Sequence, residues 1–131
     1  MGKEDDYLRI LVVDDERPCL DELVYMLSKQ ENVKIAGAFT DPLEALEVSA
    51  KLMPDAAFLD LSMPHLNGAE LARIILIHSP GTKIVFVTAY RKELERLSYD
   101  AAFASILKPV SEMKLHKIMQ RIHNDNELKE K

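Results

Sequence analysis

The chain has 131 residues, 47% of them apolar and 30% charged, the proportions of one folded domain rather than of a disordered segment. Lys and Arg number 17 against 22 Asp and Glu, a formal charge of −5, so direct nucleic-acid binding is not expected. Cys19 is the single cysteine, which excludes an internal disulfide framework and a cysteine zinc cluster and suits a reducing cytoplasm.

The first residues, Met1 to Asp6, are polar and acidic, unlike a secretory signal, and residues 1–7 read as a polar tail. Leu8 to Val13 is an apolar run that stops at two aspartates, as a buried strand does. Arg17 to Gln30 carries Leu20, Leu23, Val24 and Leu27 at helical spacing. A second strand spans Val33 to Phe39. Asp41 then reads as an N-cap, with Pro42 at the first helical position and Glu44 completing a capping box, for a helix reaching about Leu52.

Asp55 to Leu59 is the third expected strand, followed by a helix over Asn67 to His78 with Leu71, Ile74 and Ile75 inward. Lys83 to Thr88 is the fourth strand, and a weaker helix covers Arg91 to Ser98 with Leu94 and Leu97. Phe103 to Leu107 makes a fifth strand. Ser111 caps a last helix whose apolar stripe is Leu115, Ile118, Met119 and Ile122. The domain is thus expected over residues 8–123, with 124–131 a helix end or the start of a linker. No run reaches the ~20 apolar residues of a bilayer span, so no membrane segment is expected. Five strand–helix alternations imply an α/β fold, a doubly wound parallel sheet covered on both faces.

In such sheets ligands bind beyond the carboxyl ends of the strands. The first strand ends in Asp14, Asp15 and Glu16, the third in Asp60, the fourth in Thr88, and the fifth in Lys108 followed by Pro109. Each has an ordinary reading: a helix cap, a solvated loop acid, β-propensity, a surface turn. Their convergence on one sheet edge points further. Three clustered carboxylates repel one another unless a cation intervenes, and an oxygen-only set suits Mg²⁺. Asp15 and Asp60 could hold the ion directly and Asp14 through water. A lysine and a hydroxyl beside one such carboxylate equip it to accept a phosphoryl group.

The stretches Asp14-Asp15-Glu16, Phe58-Leu59-Asp60-Leu61-Ser62-Met63-Pro64 with Asn67-Gly68, Val87-Thr88-Ala89 and Leu107-Lys108-Pro109 resemble the receiver domains of two-component response regulators, from about Leu8 to Ile122. The resemblance implies a flavodoxin-like sheet of order 2-1-3-4-5 flanked by five helices. It implies that Asp60 accepts a phosphoryl group, making the chain a phosphoacceptor that promotes its own phosphorylation and dephosphorylation rather than a conventional enzyme. Asp15, Asp60 and the backbone carbonyl of Ser62 would bind Mg²⁺ with Asp14 assisting. Lys108 would pair with the phosphoryl group, Thr88 would hydrogen-bond it, and the Lys108–Pro109 bond would be cis.

The implied partners are a sensor histidine kinase or phosphotransfer protein, a downstream effector domain or protein, and a second copy through the face of the fourth helix, fifth strand and fifth helix. Tyr90 and Ser62 resemble positions that tune hydrolysis of the aspartyl phosphate. One departure stands out. The family usually carries an inward-turning Tyr or Phe three residues before the lysine, where this chain has Ser105; Phe103, two residues away, is expected on the same strand face. The interval from Thr88 to Lys108 is also short, implying a shortened or irregular fourth helix. These departures motivate a rival reading, a pseudo-receiver that docks proteins without phosphorylation.

Other functions of the same fold fit poorly. A flavin carrier needs a Ser/Thr/Gly-rich phosphate loop after the first strand, and a dinucleotide enzyme needs Gly-x-Gly-x-x-Gly there. A dehalogenase-like phosphatase wants an aspartate where Ser62 stands. The four histidines, His65, His78, His116 and His123, fit surface roles, and Cys19 and the methionines fit packing.

Overall fold

A computed structural model of the chain describes residues 7–96 and 102–130, with side chains to Asn126 in the last segment. Five strands, β1 (Leu8–Val13), β2 (Val33–Phe39), β3 (Ala56–Asp60), β4 (Lys83–Thr88) and β5 (Ala102–Leu107), alternate with helices α1 (Arg17–Ser28), α2 (Pro42–Leu52), α3 (Gly68–His78), α4 (Arg91–Arg96) and α5 (Glu112–Glu130). All pairings are parallel and the order is β2-β1-β3-β4-β5, as expected. The chain runs outward from β1 to β2, then returns to β3. The strand order therefore reverses between β1 and β3, which opens a crevice at their carboxyl ends.

Alternate side chains of the central strands feed two cores. Ile10, Val12, Phe58, Val85 and Val87 meet α1 through Leu20, Leu23 and Leu27, and α5 through Leu115, Ile118, Met119 and Ile122. On the other face Leu11, Val13, Leu59, Ile84 and Phe86 meet Ala45 of α2 and Leu71, Ala72 and Ile75 of α3. Every residue of β3 and β4 is buried, the mark of strands covered on both faces. Ile74, expected inward, is only half-buried.

The capping box falls on a different helix from the one expected. Asp41 caps α2 by accepting from the Leu43 N–H at 2.9 Å. The reciprocal arrangement lies at α3, where Asn67 accepts from the Glu70 N–H at 2.9 Å and Glu70 accepts from the Asn67 N–H at 3.0 Å. Ser111 caps α5, its hydroxyl accepting from the Lys114 N–H.

Beyond Ile122 the helix continues through Glu130 although its sequence is polar. A buried lysine holds it: Lys83, at the first position of β4, places its Nζ 2.9 Å from Asp125 Oδ2 and 2.6 Å from Asn126 Oδ1. The fourth helix is described over Arg91–Arg96; Leu97 and Ser98, also expected in it, lie outside the described residues, as does the stretch on which its expected shortening would be read.

At β5 the expectation for Phe103 is overturned. The β4–β5 register shifts between Ile84 and Val85, opposite Ala102 and Ala104, which makes Phe103 the extra residue of a bulge. Phe103 packs instead on the α1/α5 core, with the Arg121 guanidinium 4.8 Å from its ring centroid. Ser105 is exposed and pairs in register with Phe86, a residue of the opposite core. The two residues therefore do not share a face. A bulge shifts the period-2 alternation by one, which spacing alone does not reveal.

Candidate functional site

The carboxyl ends of β1, β3, β4 and β5 bring Asp14, Asp15, Asp60, Thr88 and Lys108 to one edge of the sheet. Backbone bonds set their heights. The Asp14 N–H donates to the Phe39 carbonyl at 3.1 Å, the Leu61 N–H to Val87 at 3.2 Å, and the Lys108 N–H to Thr88 at 2.7 Å. The Lys108–Pro109 peptide bond is cis.

Asp60 is 5% exposed. Its Oδ1 accepts from the Ser62 N–H at 3.1 Å, and its Oδ2 lies 3.5 Å from Lys108 Nζ. The lysine is nearer to Asp14, 2.8 Å from Oδ2, and Asp14 is itself only 2% exposed. Asp14 Oδ1 accepts from the Glu16 N–H at 2.9 Å, which turns the chain into α1. One oxygen from each of Asp14, Asp15 and Asp60 falls within 4.8 Å of the others. Asp15 is half-buried.

Burial holds the Asp60 carboxyl above its ordinary range, at about 6, with Asp14 adding to the rise and the Ser62 N–H and Lys108 opposing it. Burial would lower the Lys108 ammonium, but the bond to Asp14 and the charge of Asp60 outweigh it and hold the group well above its usual value. A lone ammonium thus serves two buried carboxylates and leaves Asp60 under-compensated. That deficit, with three acidic oxygens converging and no nitrogen or sulfur donor among them, fits a hard divalent cation such as Mg²⁺.

Between the ordinary value of 3.8 and about 6 the folded chain keeps a proton that the unfolded chain has lost, so Asp60 erodes stability as pH rises through that window. Asp60→Asn is therefore expected to stabilise the metal-free protein at pH 7 by about 1 kcal/mol, the shift discounted because the site opens to water. The gain should vanish near pH 4. Urea denaturation at the two pH values measures it.

The hollow in front of these groups, lined by Asp15, Glu16, Asp60, Ser62, Ala89, Tyr90 and Lys108, is about 130 Å³. That suits a tetrahedral anion. Ser62 and Tyr90 stand exposed at its rim. Thr88 is fully buried, and its hydroxyl donates to the Glu93 carboxylate of α4 while accepting from the Tyr90 N–H at 3.2 Å.

The structure thus brings Asp14, Asp15, Asp60, the Ser62 N–H and Lys108 within reach of one another, while Thr88 stands at the same sheet edge with its hydroxyl engaged by Glu93 and Tyr90. Sequence reasoning missed Glu93, and it names Gly68 only as part of the motif that carries the family resemblance. Glu93 lies on a helix whose pattern offered no reason to single out one acid. Gly68, the first residue of α3, is held by its N–H to the Leu61 carbonyl at 3.1 Å, and an added Cβ would stand 2.3 Å from the Asp60 carbonyl oxygen. The helix can begin this close under Asp60 only because the residue has no side chain. Among the described residues, no helix is long and apolar enough to cross a membrane.

Residues 10–120 match the response regulator receiver domain family. An uncharacterized response regulatory protein of Yersinia pestis is 37% identical over 118 residues, 90% of this chain and 49% of its own length. The transcriptional regulatory protein BtsR of Salmonella typhi is 33% identical over 119 residues, again 90% of this chain and 49% of that protein. The chain therefore spans about half the length of these relatives. Among solved structures, the response regulatory domain of mrkE from Klebsiella pneumoniae superposes with a TM-score of 0.82 at 30% identity, covering 92% of this chain and 99% of that one.

Proposed function

The chain belongs to the response regulator receiver domain family, and from that premise we propose that Asp60 accepts a phosphoryl group from a phosphohistidine of a sensor kinase or phosphotransfer protein. The observation that carries the reading is the Asp60 carboxylate itself: buried, pinned through one oxygen by the Ser62 N–H, 3.5 Å from a lysine, and facing a hollow of phosphoryl size. An Asp60 oxygen attacks phosphorus, the phosphorus–nitrogen bond of the donor breaks, and the leaving imidazole keeps the bonding pair. Lys108 moves from its carboxylate partners to a phosphoryl oxygen. The Thr88 hydroxyl donates to another. No covalent work is asked of any further side chain, so positioning and charge stabilisation dominate.

Asp15, Asp60 and the Ser62 backbone carbonyl would hold Mg²⁺, with Asp14 acting through water. When bound, the ion offsets the negative charge that carboxylate and phosphoryl group bring together. Asp14 also serves by holding Lys108 within reach. A donor protein can seat against the apolar hollow of about 390 Å³ beside the lysine, where Pro18, Leu23, Pro109 and Val110 line the wall.

The phosphoryl signal would pass to an effector domain or protein through a change in the α4–β5–α5 face, which can also meet a second copy. The domain acts in the cytoplasm by protein contact. Its net charge of −5 does not favour nucleic acid as a partner.

Incubation with Mg²⁺ and acetyl phosphate tests the proposal by intact mass. The expected result is one added phosphoryl group, absent without Mg²⁺ and absent from Asp60→Asn. No adduct, together with no binding of beryllofluoride, would sink the phosphoacceptor reading and leave a docking module that works without phosphate.

A further inference from the structure

The Thr88 hydroxyl has one proton to give. In the structure that proton goes to the Glu93 carboxylate, and the hydroxyl oxygen is engaged by the Tyr90 N–H. Glu93 is half-buried, and its own N–H donates to the Tyr90 carbonyl at 3.0 Å. A tight turn therefore sets the carboxylate beside Thr88, where a long side chain on an open surface would sample many positions. Among the described residues of α4 none is fully buried, and Leu94 is half-buried against the core.

A phosphoryl group on Asp60 presents only acceptor oxygens. It and Glu93 then compete for a single proton on a side chain that burial keeps from water. We propose that Glu93 is a positioning residue that holds the Thr88 hydroxyl away from Asp60 in the resting domain and yields it when the phosphoryl group arrives. The inference rests on the phosphoacceptor reading and goes past it. Phosphoryl affinity is set partly from α4, and loading Asp60 releases one of the bonds that tie α4 to the sheet. The negative charge of Glu93 adds a second, indirect effect, because it repels any anion in the hollow. The two effects separate experimentally, since only the competition needs Thr88.

Beryllofluoride, titrated at saturating Mg²⁺ and read by fluorine NMR, gives the affinity for the native chain, Glu93→Ala and Glu93→Gln, each with Thr88 present and in the Thr88→Ala background. With Thr88 present, Glu93→Ala is expected to tighten binding about tenfold, the scale of one charge-assisted hydrogen bond. Glu93→Gln keeps an acceptor oxygen without the charge and should tighten binding less. In the Thr88→Ala background both gains should shrink to about twofold or below, the difference between backgrounds being the coupling between the two side chains.

Equal tightening in the two backgrounds would overturn the inference, reducing Glu93 to a nearby negative charge. No tightening in either would overturn it as well. If the native chain fails to bind beryllofluoride at all, the phosphoacceptor reading falls and takes this inference with it. Binding by the native chain without coupling removes the inference alone. Urea unfolding of each variant verifies that the affinities come from folded protein, and the near-isosteric glutamine variant keeps the test available if alanine unsettles α4.

Discussion

Gly68→Ala is expected to cost about 3 kcal/mol of stability, the upper end of what overpacking usually does. The new methyl carbon would stand 2.3 Å from the Asp60 carbonyl oxygen, 2.9 Å from its carbon and 3.0 Å from the Leu61 Cα. All three are backbone atoms, so no rotamer change relieves the overlap. Either α3 withdraws from β3, losing the Gly68 N–H bond to Leu61, or the peptide after Asp60 moves. Thermal unfolding should show a drop of about 10 °C. The second consequence is functional: the Ser62 N–H that pins Asp60 Oδ1 lies in the displaced segment, so the phosphoryl adduct should fall with stability. A variant that lost stability yet loaded Asp60 at the native rate would show that the segment tolerates the shift.

Removing the lysine should have a comparable effect by another route. Lys108→Met keeps an apolar stem and deletes the charge, leaving Asp14 and Asp60, 2% and 5% exposed, without their shared cation. Breaking a buried pair from one side costs about 3 kcal/mol or more at pH 7. The pH dependence distinguishes this cause from lost packing. Asp60, already held above its ordinary value by burial and now without the lysine that opposes that rise, should keep its proton more strongly than in the unfolded chain, so the variant's stability rises as pH falls. The gap to the native protein therefore narrows by pH 5, where a packing defect would stay constant. Mg²⁺ should narrow it at pH 7 too. Chemical denaturation at both pH values, with and without Mg²⁺, gives the answer.

The central architecture was legible because buried parallel strands announce themselves as short apolar runs, and those of β1 and β4 stop at polar residues that topology must bring together. That logic points to Asp14, Asp60, Thr88 and Lys108 from the sequence alone. What escaped were relations the one-dimensional pattern does not encode. The bulge at Phe103 shifts side-chain alternation without altering composition. The importance of Gly68 lies in the clearance beneath Asp60, visible only when α3 and β3 are both in place. The sequence pairs Lys108 with a phosphoryl group, whereas the resting lysine sits closer to Asp14. The polar end of α5 is consistent with the helix end offered for it, but its anchor, Lys83, lies some forty residues away in the chain.

That anchor gives β4 a particular character. The strand is six buried residues long, with Lys83 at one end gripping α5 and Thr88 at the other gripping α4, about 17 Å apart along an extended chain. Sliding it by one residue would pull an ammonium off its carboxylate and swap both inward faces of the sheet at once. The strand is thus a fixed ruler rather than a piston. A lengthwise shift of β4 is disfavoured, and movement at the Thr88 end has its easier direction sideways, toward the helix whose Glu93 accepts from that hydroxyl.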